Sequence, residues 1–254
     1  MEILTFVTTP FMENCFVLKD GDEAIVIDPG EATPELLDAI DGLSIKLVVN
    51  THAHIDHVGG NAAILKKTGA ELLCHRDCVE MLKHVPSQGQ MFGIEVEESP
   101  APDRFLDEGD TVSVGSATLE ILNVPGHAPG HIALLGDGFV IGGDVLFAGS
   151  IGRTDLPGGD YELLMDSIKS KFLPLPDDTI VYCGHGPGTT RSSSNVVISS
   201  RRCHAGVTTS VPEKPITAPI RQLRSLLPTS EPARPPSTSI AHGSPCKRTA
   251  PSKM

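Results

Sequence analysis

The stretch Thr51-His52-Ala53-His54-Ile55-Asp56-His57 limits what this chain can become more than any other. Three imidazoles and one carboxylate fall within its last six residues. Acceptors packed this densely repel one another, or stay unsatisfied, unless a cation stands between them. Neutral imidazole and carboxylate together suit Zn²⁺, Fe or Mn²⁺. The stretch follows residues 46–50, an apolar run that reads as a buried strand. A loop leaving that strand can turn His52 and His54 one way and Asp56 and His57 another. One short segment can then serve two adjacent ions.

Further ligand candidates follow other short apolar strands. They are Pro125-Gly126-His127-Ala128-Pro129-Gly130-His131, then Gly142-Gly143-Asp144, then Gly184-His185-Gly186. Ligands gathered at one edge of a sheet make a single site. A lone histidine at a strand end is more often a surface or hydrogen-bonded residue, and His84, His204 and His242 are read that way. For His75 a structural place ranks ahead of a pocket role.

The elements around these motifs alternate. Residues 2–8, 14–18 and 24–28 read as a strand meander. Thr33 and Pro34 open a helix over 33–40. Strand 46–50 precedes a helix at 61–68, which ends before Gly69. Strand 71–75 and helix 77–84 follow. Residues 86–110 lack periodicity and read as loop. Strands are expected at 111–114, 117–124, 132–135, 139–141 and 179–183, with a helix at 161–172. This order implies two sheets with helices outside, a layered α/β sandwich.

Charge divides the chain. Residues 1–190 hold 10 Lys+Arg and 30 Asp+Glu, a net of −20, whereas residues 191–254 hold 10 and 2, a net of +8; together these give −12. The second segment also carries 27 Ser, Pro and Thr among its 64 residues, and no aromatic. Such a segment buries too little apolar surface to offset its ordering entropy. Residues 1–190 are therefore expected to form one domain, and 191–254 a disordered tail. The acidic domain disfavours nucleic acid and anionic membrane as partners. No apolar run approaches the roughly 20 residues of a membrane span. Met1 leads into Glu2 without a basic, then apolar, leader. The six cysteines show no framework spacing, so reduced thiols and a cytoplasmic setting are expected.

With these motifs in order, residues 1–190 resemble the metallo-β-lactamase-fold hydrolases. Asp28 after a strand, His52-x-His54-x-Asp56-His57, His127, Asp144 and His185 carry the resemblance. Gly143-Asp-Val-Leu-Phe147, the loop 149–159 and Gly184-His-Gly-Pro-Gly-Thr-Thr190 are most similar to the compact bacterial glyoxalase II-like branch, the hydroxyacylglutathione hydrolase-like enzymes. The resemblance implies a four-layer αββα sandwich with the site on the exposed edge between the sheets. It implies two divalent metal ions, Zn²⁺ ahead of Fe or Mn²⁺. His52, His54 and His127 would hold the first ion, Asp56, His57 and His185 the second, and Asp144 would bridge them. Asp56 and Asp144 are the expected catalytic carboxylates. Asp28 would hydrogen-bond near the ligand loop, or merely close a turn before Pro29-Gly30. His131 would support the site from behind. Arg153 would meet an anionic substrate group, or else pair with Asp155 or Asp160.

The chemistry of such a site is hydrolytic. Two ions about 3.5–4 Å apart lower the pKa of a shared water toward about 7. The resulting hydroxide attacks an acyl carbonyl whose oxyanion an ion stabilises. A thiolate leaves without a proton, so a thioester needs no strong general acid, and the motifs supply none. The expected substrate is a small-molecule thioester, such as the glutathione conjugate S-lactoylglutathione. The longer glyoxalase II enzymes bind glutathione through basic residues of a C-terminal helical domain; no ordered counterpart is expected here, because the basic segment 191–254 lacks the apolar periodicity of a helical lid. The rival activity is that of a mononuclear iron persulfide dioxygenase, with His52, His127 and Asp144 as ligands and a Gly-Arg-Thr-Asp segment like Gly152–Asp155. Lactonase and β-lactamase chemistry share the fold. After Arg191-Ser-Ser-Ser194 the composition changes so abruptly that 191–254 reads as an extension unrelated to the domain, a shifted reading frame being one origin. Under limited trypsin digestion the first cuts should fall within 191–254 and leave a domain of unchanged melting temperature. Early loss of the domain with the tail would contradict the division.

Overall fold

The inner strands in the first half of the chain carry apolar residues on both faces, and both faces are covered. The computed structural model describes residues 1–194. Residues 195–254, with His204, His242, Cys203, Cys246 and nearly all of the expected tail, lie outside the described residues. Strands β1 (Glu2–Thr8), β2 (Glu13–Asp20), β3 (Glu23–Ile27), β4 (Ser44–Val49), β5 (Glu71–Cys74) and β6 (Arg104–Phe105) form one sheet in that order. The meander β1–β3 is antiparallel, and β3 through β6 run parallel. Successive side chains point to opposite faces of a strand. Accordingly Phe16, Leu18, Ile25 and Ile27 enter the core between the sheets, while Cys15, Val17, Ala24 and Val26 meet an outer helical layer. Each large apolar side chain removed from water contributes about 1.5–3 kcal/mol.

That outer layer is built from helices α1 (Pro34–Ala39) and α3 (Asn61–Thr68), whose Leu36 and Ile64 are buried against it. Thr33 caps α1 by accepting from Leu36 N at 3.3 Å. Gly69 ends α3 in a left-handed turn, φ 69°, that any side chain would strain. Between them lies α2 (Ile55–Val58), one turn long. After β5, a tight turn at Arg76–Cys78 leads into α4 (Val79–Leu82) and α5 (Val85–Phe92).

The second sheet has the order β14-β13-β10-β9-β8-β7, from strands β7 (Thr111–Val114), β8 (Ala117–Asn123), β9 (Ile132–Gly136), β10 (Phe139–Gly143), β13 (Ile180–Cys183) and β14 (Thr189–Thr190). A small hairpin, β11 (Leu146–Phe147) and β12 (Ser150–Ile151), follows β10. Helix α6 (Tyr161–Ser167) continues as a wider turn to Phe172, and its Leu164, Ile168 and Phe172 cover Val140 and Val181 of this sheet. The layers are therefore α-β-β-α.

Strand direction sets where ligands can gather. β3 and β4 are parallel, as are β10 and β13. β8 runs with β10, because both are antiparallel to β9. The ligand-bearing loops leave the carboxyl ends of these strands: Asp28 after β3, residues 52–57 after β4, His127 after β8, Asp144 after β10 and His185 after β13.

Two expectations on local structure fail. Residues 86–110 are not all loop, since α5 and β6 form within them. Only Val85 and Gly89 of α5 are buried, so the helix shows no apolar stripe. It forms because Gly89 lets it close on the following chain: a Cβ there would lie 2.5 Å from Ile94 O. Helix 77–84 divides into the turn at Arg76–Cys78 and α4. Cys15, Cys74, Cys78 and Cys183 are buried free thiols. Among the described residues no helix is long and apolar enough to cross a membrane.

Candidate metal centre

The break between β4 and α2 turns the ligand loop in two directions. His54 stays extended (φ −70°, ψ 147°) just ahead of the helical turn that carries Asp56 and His57. His52, His54 and His127 thereby form one cluster and Asp56, His57 and His185 another, with the ligand atoms of each within 4.8 Å of one another. Asp144 lies between them. Its Oδ2 is 3.5 Å from His127 Nε2 and 3.4 Å from His185 Nε2, and its Oδ1 is 3.6 Å from His57 Nε2.

The residues present fit divalent metal. His52 Nε2, His57 Nε2 and Asp144 Oδ1 are buried and have no hydrogen-bond partner. Buried polar atoms are nearly always paired, and here three orphans converge on one small volume. His127 Nε2 faces His54 Nδ1 at 2.9 Å, so a proton on His54 stands where a cation would.

Hydrogen bonds behind the cluster fix which nitrogen each imidazole offers. Buried Asp28 accepts from Thr51 N (2.6 Å), Thr51 Oγ1 (2.6 Å) and His57 Nδ1 (3.0 Å). The single Thr51 hydroxyl proton goes to Asp28, so Thr51 Oγ1 accepts from His52 Nδ1 at 3.0 Å. His127 Nδ1 donates to the Arg153 carbonyl (2.8 Å) and His185 Nδ1 to the Phe11 carbonyl (3.2 Å). Four imidazoles therefore carry a proton on Nδ1 and turn Nε2 inward. His131 carries its proton on Nδ1 as well, but its Nε2 accepts from Asp144 N at 3.1 Å and holds that carboxylate's backbone in place.

Close approach demands glycine at two points. A Cβ on Gly184 would lie 2.2 Å from Asp144 Oδ1, and one on Gly143 would lie 2.6 Å from Thr51 Oγ1. Asp28 itself adopts φ 51°, a left-handed conformation that costs about 1–3 kcal/mol in a non-glycine residue. Chain from the first sheet straps His185: Asn14 N donates to Gly184 O (2.7 Å), and Asn14 Nδ2 donates to Cys183 O (2.9 Å) and Gly186 O (2.8 Å).

Electrostatics separate the groups. Burial disfavours charge on Asp144, but His57 and His185 outweigh it and hold the carboxyl well below its usual range. Asp56 is likewise lowered, as His185 and His57 overcome its burial. Burial also opposes a proton on His57, yet Asp144 and Asp28 raise it well above the ordinary imidazole range. His185 is pushed up to about 10 against its own burial by Asp144 and Asp56. Burial and neighbouring imidazoles lower His52, and lower His54 to about 4. The metal-free centre thus keeps protons beside its carboxylates, and metal binding would release them.

Not every residue singled out in the sequence joins the cluster. His75 caps the turn at Arg76–Cys78, accepting from Asp77 N at 3.2 Å, and belongs to none of the metal-capable groups. The Arg153 guanidinium pairs with both Asp155 oxygens at 2.7 Å, and it is its carbonyl that serves the site. The roles of Thr51, Asn14 and the Phe11 carbonyl were not anticipated. Nor was Glu13, a fully buried carboxyl that burial pushes well above its usual range.

The chain is similar to known proteins. A profile described as the metallo-beta-lactamase superfamily matches residues 8–185. The chain is 38% identical, over 211 residues, to hydroxyacylglutathione hydrolase GloC of Haemophilus influenzae, covering 79% of this chain and 100% of that one. Among solved structures, BLEG-1 B3 metallo-beta-lactamase superposes with a TM-score of 0.71 at 33% identity, over 76% of this chain and 95% of that one. TTHA1623 in a di-iron-bound form gives 0.69 at 35% identity, over 74% and 95%.

Replacing Thr51 by valine removes the link from Asp28 to His52. Metal affinity, read by competition with a chromophoric chelator, should fall about 10–100-fold. Thr51→Ser should retain it. Equal affinity in the valine variant would contradict this role.

Proposed function

The chain belongs to the metallo-beta-lactamase superfamily and is a metal-dependent hydrolase, and on that premise we propose that it cleaves a thioester of the S-acylglutathione type. The observation that carries the reading is the pair of three-residue clusters joined by Asp144. The name of the Haemophilus relative supports the substrate class. The di-iron form of TTHA1623 supports two ions.

His52, His54 and His127 would hold one ion, Asp56, His57 and His185 the second, and Asp144 would reach both. Zn²⁺ suits this donor set best, with Fe and Mn²⁺ as alternatives. When bound, such ions supply Lewis acidity that brings the pKa of water toward about 7 and polarises an acyl carbonyl. The chain's own groups do the rest. Asp28 and Thr51 keep the Nδ1 protons of His57 and His52 in place, so both rings would present Nε2 to the ions. His131 anchors the backbone of Asp144. Asp56, with 16% of its side chain exposed, is the ionised carboxylate that can accept a proton from the attacking water. A thiol of ordinary pKa, about 8.5, departs as thiolate and needs no donor.

Metal content and turnover, measured together, test this. About two ions per chain, with S-lactoylglutathione cleaved equally with and without oxygen and cleavage lost on chelation, is the expected result. About one iron per chain, with oxygen consumed only on glutathione persulfide, would replace the hydrolase with a dioxygenase.

A further inference from the structure

A cavity of about 300 Å³ opens directly beside His185 and is lined by Phe147, Ala148, Ser150, His185, Gly186 and Pro187. His185 is its only titratable wall, and neither ring nitrogen is free. Nδ1 donates to the Phe11 carbonyl at 3.2 Å, while Nε2 lies 3.3 Å from Asp56 and 3.4 Å from Asp144. What the cavity offers a ligand is therefore mainly the Phe147 ring, 6.4 Å from the His185 ring centroid, together with Ala148 and Pro187 and a single hydroxyl, that of Ser150. The apolar surface resumes beyond Phe11, whose ring meets Phe92 edge-on at 5.0 Å. There Met12, Met91 and Phe92 are 63%, 81% and 55% exposed. Apolar surface left open beside a buried polar centre marks a ligand site.

The chemistry of the two halves of a thioester decides which one fits. Glutathione brings two carboxylates and an ammonium group. The lining holds no Lys or Arg, the Arg153 guanidinium is bound to Asp155, and residues 1–190 carry a net charge of −20. The acyl half can be wholly apolar. At about 30 Å³ per water-sized group, the cavity has room for roughly ten heavy atoms, whereas a lactoyl group brings only five.

Resting on the thioester reading, we infer that this cavity receives the acyl chain of the substrate, and that the chain is apolar and about four to eight carbons long rather than a short hydroxy-acyl group. Phe147, Ala148 and Pro187 set acyl specificity, while the metal-binding clusters set the reaction.

The test is kcat/KM of the metal-loaded full chain on acetyl-, butyryl-, hexanoyl- and lactoylglutathione. The expected series rises about fourfold per methylene, with butyryl ahead of lactoyl. Ala148 is exposed, so Ala148→Trp fills the cavity without disturbing the core. It should lower hexanoyl relative to acetyl by about tenfold or more. A flat series, or lactoyl ahead of butyryl, overturns the inference while leaving thioester hydrolysis intact. A series unchanged in the Trp variant, accompanied by an altered sedimentation coefficient, also overturns it and makes the face a contact between copies. If no thioester is cleaved, the thioester reading fails. The cavity is then tested by calorimetric titration with free carboxylates from acetate to octanoate. Affinity rising with length supports the apolar cavity, and length-independent affinity overturns it.

Discussion

The carboxylate of Asp28 holds the centre together. It is buried, sits in a left-handed backbone conformation, and accepts three hydrogen bonds from the two halves of the ligand loop. Thr51 N and Oγ1 tie it to the strand side of that loop, and His57 Nδ1 ties it to the helical turn. Through Thr51 it also sets the proton on His52. Charge-assisted hydrogen bonds are about twice as strong as neutral ones, so one side chain can impose an order that the loop's own propensities would not. The backbone strain at Asp28 is the local cost of aiming both oxygens at the loop.

The two sheets supply what Asp28 cannot. Parallel strands place their carboxyl ends on one edge, so residues far apart in sequence reach a common volume without long loops. The two edges must also be held in register with each other. Asn14 does this from the first sheet by binding three backbone groups around His185 of the second. The apolar core between the sheets pays for a polar cluster whose orphaned nitrogens and oxygen destabilise the metal-free state. Metal binding would satisfy those atoms, so folding and metal affinity are coupled.

Much of this was legible in the sequence because its signals are local. Imidazoles and carboxylates at His-x-His-x-Asp-His spacing announce themselves by residue type, and the apolar runs before each motif mark strands whose ends form one edge. The divided α/β sandwich followed from the order of those runs. What escaped was set by tertiary contact. Helix α5 carries no apolar stripe and depends on Gly89 fitting against Ile94. Backbone carbonyls hold His127 and His185, and a carbonyl has no sequence signature. Arg153 drew notice for its charge, whereas its guanidinium faces Asp155 and its peptide oxygen serves the site. Thr51 stood inside the most conspicuous motif of the chain. Only the distances to Asp28 and His52 give its hydroxyl a task.

The central claim is that hydrogen bonds from the protein orient the imidazoles before metal arrives. Long-range ¹H–¹⁵N correlation spectra of the metal-free protein, labelled at histidine, report the tautomer of each ring directly. The account predicts His52 and His127 locked with the proton on Nδ1 and an unprotonated Nε2. It further predicts that Thr51→Val releases His52 from that state and leaves His127 in it. Rings that exchange freely between tautomers in the unaltered metal-free protein, or that carry their proton on Nε2, would contradict it.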